Sequence, residues 1–285
     1  MILSMAAFAL ADTLVKVTSE TVSAAQILFF LIGSGLFLFA LSAKLQGNKL
    51  LDRKAFAPIL MMRYVSEVIG MISMVTALSL APLSTVGAIT QATPLLVVIG
   101  AVLFLGEKVS WRRWSAIAAG FVGVLLIVQP GGESFNASVL WAVLAMFGLS
   151  ARDLTTRLTP PDVGSFSLAT FTMAAALPFA VIWVLYNGES LFPAEVNWWV
   201  VAAMCCFGAT GYILLIISLR MTEVAIVTPF RYSRIIFLLI LGVVVFDERP
   251  SISMLFGAAL IVASGIYLMW REQQIKKSNT SKSEN

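Results

Sequence analysis

Ten apolar stretches, each close to one bilayer in thickness, follow one another along this 285-residue chain with short polar connections between them. A helix needs about 20 apolar residues to cross the hydrocarbon core, and most of the stretches reach or approach that length. The connections leave no room for a separate soluble domain. The predicted membrane helices lie near residues 1–17, 24–43, 58–80, 84–105, 112–129, 138–156, 164–186, 197–218, 224–246 and 252–270.

The composition independently indicates an integral membrane protein. Hydrophobic residues make up 59% of the chain and charged residues 12%, whereas about 25% of a soluble domain is charged. The chain has no histidine, which removes the usual general base and metal ligand. Its two cysteines, Cys205 and Cys206, are adjacent within the eighth stretch and are interpreted as small apolar residues. We therefore predict neither a metal site nor a cofactor.

The distribution of Lys and Arg predicts the orientation. If the amino terminus is cytoplasmic, alternate connections are cytoplasmic too, and they should carry the excess of positive charge. Fourteen Lys and Arg residues then fall inside and Arg249 alone falls outside. The fourteen are Lys44, Lys49, Arg53, Lys54, Lys108, Arg112, Arg113, Arg152, Arg157, Arg220, Arg271, Lys276, Lys277 and Lys282. Both termini are predicted to be cytoplasmic, in a multi-pass protein of a bacterial inner membrane, and the net charge of +4 reflects this orientation rather than nucleic-acid binding.

The two ends of the chain carry separate expectations. Met1 opens directly into apolar sequence without a basic lead, which favours a start codon further upstream and argues against a signal peptide. Residues 271–285 are polar and lack periodicity, so they are predicted to form an unstructured cytoplasmic tail.

The halves of the chain repeat each other. LFLGEKVS, ending at Ser110, aligns with VVFDERPS, ending at Ser251, which is an offset of 141 residues. Five helices per half is an odd number, so the second half must enter the membrane upside down relative to the first. The predicted repeats are residues 1–131 and 132–270. Inverted repeats are typical of secondary transporters, whose site lies near the midplane between the halves.

The turns of this repeat are interpreted as structural. Gly106 suits a helix end with positive φ, and Ser110 and Ser251 stand where they can cap the helices that follow. Glu107 and Glu248 are expected at water level near those same helix starts, where the helix dipole favours a negative charge.

Two runs resemble the repeat of the drug/metabolite transporter superfamily, EamA type. They are ALSLAPLSTVGAITQATPLLVVIGAVLFLGEKVSWRRWSAIAAGFVGVLLIVQPGG and PFRYSRIIFLLILGVVVFDERPSISMLFGAALIVASGIYLMWRE. The resemblance extends over nearly the whole chain. It implies an all-α membrane fold of ten helices in two inverted five-helix repeats, with a cavity lined by the first, third, fourth, sixth, eighth and ninth helices. It also implies carriage of a small organic solute, and the family's solutes range over amino acids, vitamins, nucleoside-like compounds and drugs.

Charged residues predicted to lie within the hydrocarbon are the candidate site, because each costs about 2.5 kcal/mol or more unless it is partnered or faces water. They are Asp12, Lys16, Arg63, Glu67, Arg231 and Arg234. The two in the first helix are four residues apart, as are the two in the third, so each set is predicted to pair on one helix face. Glu67 and Arg234 lie at similar depths and are predicted to face each other across the cavity. An ion-pair network that only holds the halves together is the alternative.

The balance of these charges predicts the cargo. Four are positive and two are negative, which indicates an electropositive cavity unless Asp153 neutralises one charge. Tyr212 and Tyr232 are candidates to stack on a planar cargo, and Gln91 precedes Pro94, where proline frees a backbone carbonyl. The predicted cargo is anionic, zwitterionic or planar, such as an amino-acid-, flavin- or nucleoside-like compound.

The mechanism is less constrained by sequence. No GxxxxGK[ST] loop is present, so the chain is not an ATP-driven pump by itself. Proton coupling through Glu67 or Asp12 and facilitated exchange both stay open, as do the direction of transport and the oligomeric state. The alternatives to a transporter are an intramembrane enzyme and a structural membrane protein. The missing histidine excludes a serine–histidine protease, and an aspartyl protease needs two deep aspartates where only Asp12 is predicted to be deep. We therefore predict a secondary transporter and no enzyme.

Overall fold

The structure is a computed structural model that describes residues 1–46, 56–106, 109–130, 136–159, 164–194, 196–221 and 228–283. Within these ranges the chain forms α-helices, a 3-10 helix at Thr228–Tyr232 and no β-strand. The α-helices are Ile2–Thr18 (α1), Ala24–Leu45 (α2), Pro58–Leu80 (α3), Leu83–Thr90 (α4), Thr93–Leu105 (α5), Trp111–Val128 (α6), Val139–Arg157 (α7), Ser165–Tyr186 (α8), Trp198–Met221 (α9), Ser233–Phe246 (α10) and Ile252–Ser283 (α11). These bounds follow the predicted stretches closely, with three differences.

The fourth predicted stretch is broken between α4 and α5. Pro94 lacks the N–H that would bond to the carbonyl of Thr90. The hydroxyl of Thr93 donates to that carbonyl instead, at 2.6 Å. The hydroxyl of Ser150 on α7 donates to the carbonyl of Thr93 at 3.2 Å. The carbonyl that proline frees is therefore satisfied by a neighbouring side chain rather than left open to a cavity.

The second difference is at the carboxyl end, where α11 continues to Ser283. The sequence predicted an unstructured segment after residue 270. No glycine or proline occurs between Gly265 and Ser283 to stop the helix. On the polar surface of this extension, Arg271 donates to Gln274 at 2.9 Å, a pair with the spacing of one helical turn.

Eight segments of the described chain are long and apolar enough to cross a membrane, counting Leu83–Leu105 as one. The first and ninth predicted stretches are not among them. Helix α1 has 17 residues, and the ninth stretch is divided between the 3-10 helix and α10, which has 14 residues. The number of ten spanning helices and the orientation of the termini therefore stay predictions.

Labelling with an impermeant thiol reagent checks the orientation. In a cysteine-free background, Gln46→Cys and Ser281→Cys should react only from the cytoplasmic side. Ser134→Cys, which lies outside the described residues, and Glu189→Cys should react only from the other side. Labelling of the Gln46 and Glu189 positions from the same face would contradict the inverted repeat.

Helices of the two halves pair in a pattern that survives exchange of the halves. Helix α1 packs on α9, α3 on α7, α2 on α8, α6 on α11, and α4 on α10. In the predicted repeat, α1 corresponds to α7 and α3 corresponds to α9. Exchanging the halves therefore converts the α1–α9 pair into the α7–α3 pair, and each of the other three pairs is converted into itself. Such a pattern is expected of halves related by a two-fold axis.

Two of these contacts depend on glycine. Small residues at four-residue spacing predict close approach of α6 to a neighbour, and a Cβ at Gly123 would lie 2.6 Å from the carbonyl oxygen of Gly257 on α11. Between α3 and α7, a Cβ at Gly148 would lie 2.7 Å from the backbone nitrogen of Gly70. The close approach predicted for α6 is confirmed, and the α3–α7 contact is equally tight.

Gly148→Ala should therefore destabilise the protein by about 1–3 kcal/mol, the usual cost of overpacking. The clash is with the backbone of Gly70, which cannot move aside without separating α3 from α7. The matched control is Gly33→Ala on α2, since a Cβ at Gly33 meets nothing within 4 Å and alanine favours the helix by about 1 kcal/mol. Thermal unfolding in detergent is the measurement. Equal midpoints for the two variants would contradict the tight contact.

The repeat turns largely behave as the sequence predicts. Gly106 ends α5 with φ +67°, and Asp247 ends α10 in the same left-handed conformation, with φ +51°. The hydroxyl of Ser251 caps α11 by accepting from the backbone N–H of Met254 at 3.2 Å, as predicted. Ser110 occupies the capping position of α6 but makes no side-chain capping bond. Glu107 lies outside the described residues.

Candidate functional site

A charged cluster lies inside the bundle where α3, α7 and the 3-10 helix meet; we call Arg63, Glu67, Arg152, Asp153 and Arg231 the α3–α7 cluster. Arg152 Nη1 donates to Glu67 at 3.1 Å, and Arg152 Nε donates to Asp153 Oδ1 at 2.9 Å. Arg63 Nη2 lies 3.6 Å from Glu67, which confirms the predicted pairing. Arg231 Nη2 approaches Asp153 Oδ2 only to 4.0 Å.

The glycine contact between α3 and α7 explains why these groups meet. Glu67 lies about one turn before Gly70 on α3, and Arg152 lies about one turn after Gly148 on α7. Because the two helices approach closely at these glycines, the charged residues one turn away reach each other across the interface. The packing of small residues thus positions the cluster.

Arg63 makes contacts with three helices that hold the cluster together. Its Nε donates to Thr156 on α7 at 2.9 Å, and its Nη1 donates to Thr172 on α8. With its side chain only 6% exposed, Arg63 ties three helices together and holds Glu67 in place.

A separate ion pair joins α1 to α10. Both Nε and Nη2 of Arg234 donate to Asp12 Oδ2, the former at 3.1 Å, and the guanidinium lies over the ring of Phe8 at 5.3 Å. The predicted pairing of Asp12 with Lys16 is therefore wrong. Glu67 and Arg234, predicted to face each other, are likewise engaged with different partners. Packing of α10 on α1 brings the guanidinium fork of Arg234 to Asp12, where its two N–H groups converge on one oxygen.

Lys16 lies at the other end of α3 from Arg63. Its Nζ donates to the carbonyls of Ala81 at 2.6 Å and Leu78 at 3.4 Å, at the carboxyl end of α3. The ammonium also lies 5.4 Å from the centre of the Phe246 ring. A cation at a helix carboxyl terminus is favoured by the helix dipole and satisfies carbonyls that lack helical partners.

Glu248 completes this turn from the opposite side. Its carboxylate accepts from the backbone N–H groups of Leu83 at 2.5 Å and Ser84 at 3.0 Å, at the start of α4. The sequence predicted Glu248 near the start of the helix that follows it, whereas it caps a helix in the other half of the chain. The turn between α3 and α4 is therefore held from two sides. Lys16 binds the carboxyl end of α3, and Glu248 binds the amino end of α4.

Gln91 and Tyr212 lie next to the α3–α7 cluster. The amide Nε2 of Gln91 donates to the backbone carbonyl of Arg231 at 3.4 Å, which fixes the 3-10 helix against the end of α4. Tyr212 stacks on Phe39 with ring centres 4.5 Å apart. Its hydroxyl is near enough to Glu67, Arg152 and Asp153 for their charges to act on it. Both predicted residues are thus placed beside the charged cluster.

Tyr232 points elsewhere. The residue is buried, and its hydroxyl fills the space over Gly265 on α11, where any Cβ would clash. Among the described atoms this hydroxyl has no hydrogen-bond partner. The structure places Tyr232 in the interface with α11 rather than in the charged cluster.

Two members of the cluster were missed by the sequence analysis. Arg152 was counted among the cytoplasmic positive charges, but on α7 it pairs with Glu67 and Asp153. Asp153 was considered only as a neutralising charge, a role that its contacts with Arg152 and Arg231 confirm. The repeat offset of 141 residues could have indicated Asp153, because it aligns Asp12 with Asp153 and Lys16 with Arg157. Each half thus contributes one Asp-x-x-x-basic motif, and each Asp reaches an arginine of the segment 231–234.

The electrostatic balance of the cluster is positive. It contains three arginines and two carboxylates, so one positive charge is unmatched, whereas Asp12 and Arg234 neutralise each other. Among the described residues, no group of three or more His, Cys, Asp or Glu could hold a metal ion. The arrangement is thus suited to recognising an anionic group by arginine.

Comparison with known proteins identifies a family and several transporters. The chain matches the model of the EamA-like transporter family over residues 1–129 and 136–271. It is 28% identical over 214 residues to the S-adenosylmethionine uptake transporter of Rickettsia bellii, covering 72% of this chain and 70% of that protein. It is 28% identical over 217 residues to the riboflavin transporter of Brucella anthropi, covering 73% and 75%. The pseudopaline exporter of Pseudomonas aeruginosa is 26% identical over 276 residues, covering 94% and 93%.

A solved structure, described only as a crystal structure of a protein, has a similar fold. The TM-score is 0.61, with 94% of this chain and 95% of that chain covered. The sequence identity is 18%, so the likeness concerns the fold alone.

Proposed function

Since this chain belongs to the EamA-like transporter family, we propose that it is a secondary transporter that carries a small organic metabolite by alternating access. Its apolar helices and its bacterial transporter relatives identify a multi-pass protein of the bacterial inner membrane. The proposed cargo is anionic, zwitterionic or planar. The proposed site comprises the α3–α7 cluster, the Asp12–Arg234 pair, Gln91 and Tyr212.

The observation that carries this proposal is the charged cluster within otherwise apolar helices. Five charged side chains converge there, and one positive charge is unmatched by a carboxylate. Charges within apolar helices are costly and are retained where they line a substrate path. An unmatched arginine supports a cargo with an anionic group, because guanidinium binds carboxylate and phosphate in a two-point geometry.

The relation between the halves supports the alternating-access part of the proposal. Helix pairing is preserved when the halves are exchanged. Asp12 of the first half binds Arg234 of the second, and Asp153, aligned with Asp12 by the repeat offset, approaches Arg231 in the same short segment. The two halves therefore meet at Arg234. Transporters built from inverted repeats hold their cargo where the halves meet and open to each side by moving one half against the other.

Uptake into proteoliposomes tests the proposal. The purified chain should accumulate at least one labelled compound from a set containing S-adenosylmethionine, riboflavin, nucleosides and amino acids, and the compound should be recovered unchanged. Binding to the native state should also raise the free energy of unfolding, by about 2.7 kcal/mol at a hundred times Kd. Chemical conversion of a compound would favour an intramembrane enzyme. Absence of both uptake and binding across the set would overturn the transporter proposal.

A further inference from the structure

Arg231 is the least engaged arginine of the candidate site. Arg63 donates to two threonines and lies beside Glu67. Arg152 binds two carboxylates, and Arg234 makes two hydrogen bonds to Asp12. Among the described residues, the only carboxylate within 4.0 Å of Arg231 is that of Asp153, and it lies at that limit. The Arg231 side chain is also the most exposed of these arginines, at 38%.

Among the described residues, Asp153 Oδ2 has no hydrogen-bond partner. Arg152 uses Oδ1, through Nε at 2.9 Å and Nη2 at 2.8 Å. Oδ2 faces Arg231 across 4.0 Å, beyond the 2.7–2.9 Å typical of a charged hydrogen bond. The structure therefore presents a guanidinium and a carboxylate oxygen side by side, each with hydrogen-bonding capacity left over.

Asp12, which the repeat offset aligns with Asp153, is paired more tightly. Asp12 and Arg234 are joined by two direct hydrogen bonds, and the arginine is covered by the ring of Phe8. Of the two aspartates that the repeat offset aligns, Asp12 is therefore in a closed pair and Asp153 faces Arg231 in an open pair. Within the described part of the chain, the groups of the open pair keep hydrogen-bonding capacity for a further molecule.

A cargo must satisfy both charges of the open pair. A lone carboxylate would bind Arg231 but would also be brought against the negative charge of Asp153, and a lone amine would be brought against Arg231. A group that carries a carboxylate and an ammonium on one carbon satisfies both at once, since each of its charges meets an opposite partner. The chemistry of the gap is therefore complementary to an α-amino acid.

We propose that the cargo bears an α-amino carboxylate head group, with its carboxylate on Arg231 and its ammonium on Asp153 Oδ2. This inference rests on the proposed transport function and adds the class of cargo and the residues that select it. The remainder of the cargo is bound by other parts of the site.

Matched probes test the head group. The twenty common amino acids, S-adenosylmethionine, riboflavin and adenosine are first screened for thermal stabilisation of the purified full chain, and binders are then tested for uptake. For the best amino-acid binder, the decarboxylated amine and the deaminated acid serve as matched derivatives. Each should bind at least about tenfold more weakly than the parent, because each loses one charged contact.

Two variants assign the contacts. Arg231→Gln should weaken the amino acid and the deaminated acid at least about tenfold and leave the amine nearly unchanged. Asp153→Asn, which keeps an oxygen for Arg152, should weaken the amino acid and the amine and leave the acid nearly unchanged. Arg231→Lys, which keeps the charge, should bind with intermediate affinity. Arg112→Gln, at an exposed residue of α6, is the control and should bind all three probes as the parent chain does.

The outcomes separate this inference from the transport proposal. Uptake of riboflavin or adenosine without binding of any α-amino acid compound would overturn the head-group assignment and leave the transporter intact. Equal loss of all three matched probes in both variants would overturn it too, because a merely structural role would not discriminate between them. If no compound binds or moves, the transport proposal fails and the head-group assignment fails with it.

Discussion

Arg234→Gln should lower the free energy of unfolding by about 3–5 kcal/mol, the usual cost of removing one partner of a buried ion pair. The change strands the Asp12 carboxylate, which is 8% exposed and accepts both hydrogen bonds of Arg234. Transport of an anionic or zwitterionic cargo should also be lost, while insertion into the membrane is retained. Thermal unfolding and proteoliposome uptake are the measurements. Arg112→Gln, at an exposed residue of α6, is the control and should change neither.

A double replacement separates a role in transport from a role in stability. Asp12→Leu combined with Arg234→Met removes both charges, and apolar replacement of a buried pair is often neutral or stabilising. We expect the double variant to regain the stability that the single variant loses and to remain inactive. A double variant as active as the parent would return both residues to the scaffold.

Glu248→Ala should destabilise the protein by about 2–4 kcal/mol, because hydrogen bonds to a charged group contribute about 1.5–3 kcal/mol each and water replaces part of the loss. The carboxylate accepts from the backbone N–H groups of Leu83 and Ser84 and from the Ser84 hydroxyl at 2.5 Å. Without it the amino terminus of α4 loses its cap from the other half of the chain.

Glu248→Gln tests the same contact more gently, because the amide retains one oxygen acceptor but no charge. It should lose less stability than Glu248→Ala in the same unfolding measurement. Arg249→Gln is the neighbouring control, since Arg249 is exposed. If the Arg249 variant lost as much stability as the alanine variant, the loss would belong to the turn as a whole rather than to the cap.

Much of the helical framework follows from sequence, for a physical reason. In hydrocarbon every backbone polar group must be satisfied within the chain, so a long apolar run can only become a helix. Helix α3 was predicted at 58–80 and occupies Pro58–Leu80. The helix ends at Gly106 and Ser251 could also be predicted, because capping involves only residues that are close in sequence. The matched turns also predicted the repeat. The ordered motifs predicted the family that the comparisons identify.

The partners of the charged residues did not follow from sequence. Spacing of four residues allows Asp12 to reach Lys16, yet Asp12 binds Arg234, 222 residues away. The same local argument succeeded for Arg63 and Glu67, because both side chains face α7, where Arg63 donates to Thr156 and Glu67 accepts from Arg152. Arg152 was misplaced because a residue near a helix end can point to water or to a neighbouring helix, and sequence does not distinguish the two.

The sequence by itself determined where most of the helices lie, that Gly106 and Ser251 mark helix ends, that the chain repeats and which charges lie within apolar runs. Tertiary structure alone decided which charges meet, since that depends on how each helix is rotated about its axis and how closely it approaches its neighbour. At Gly70 and Gly148 the approach is close enough to bring Glu67 to Arg152. Between Asp153 and Arg231 the packing leaves a distance of 4.0 Å from Oδ2 to Nη2. Rotation and distance are set by side-chain packing summed over many residues, which no local pattern records.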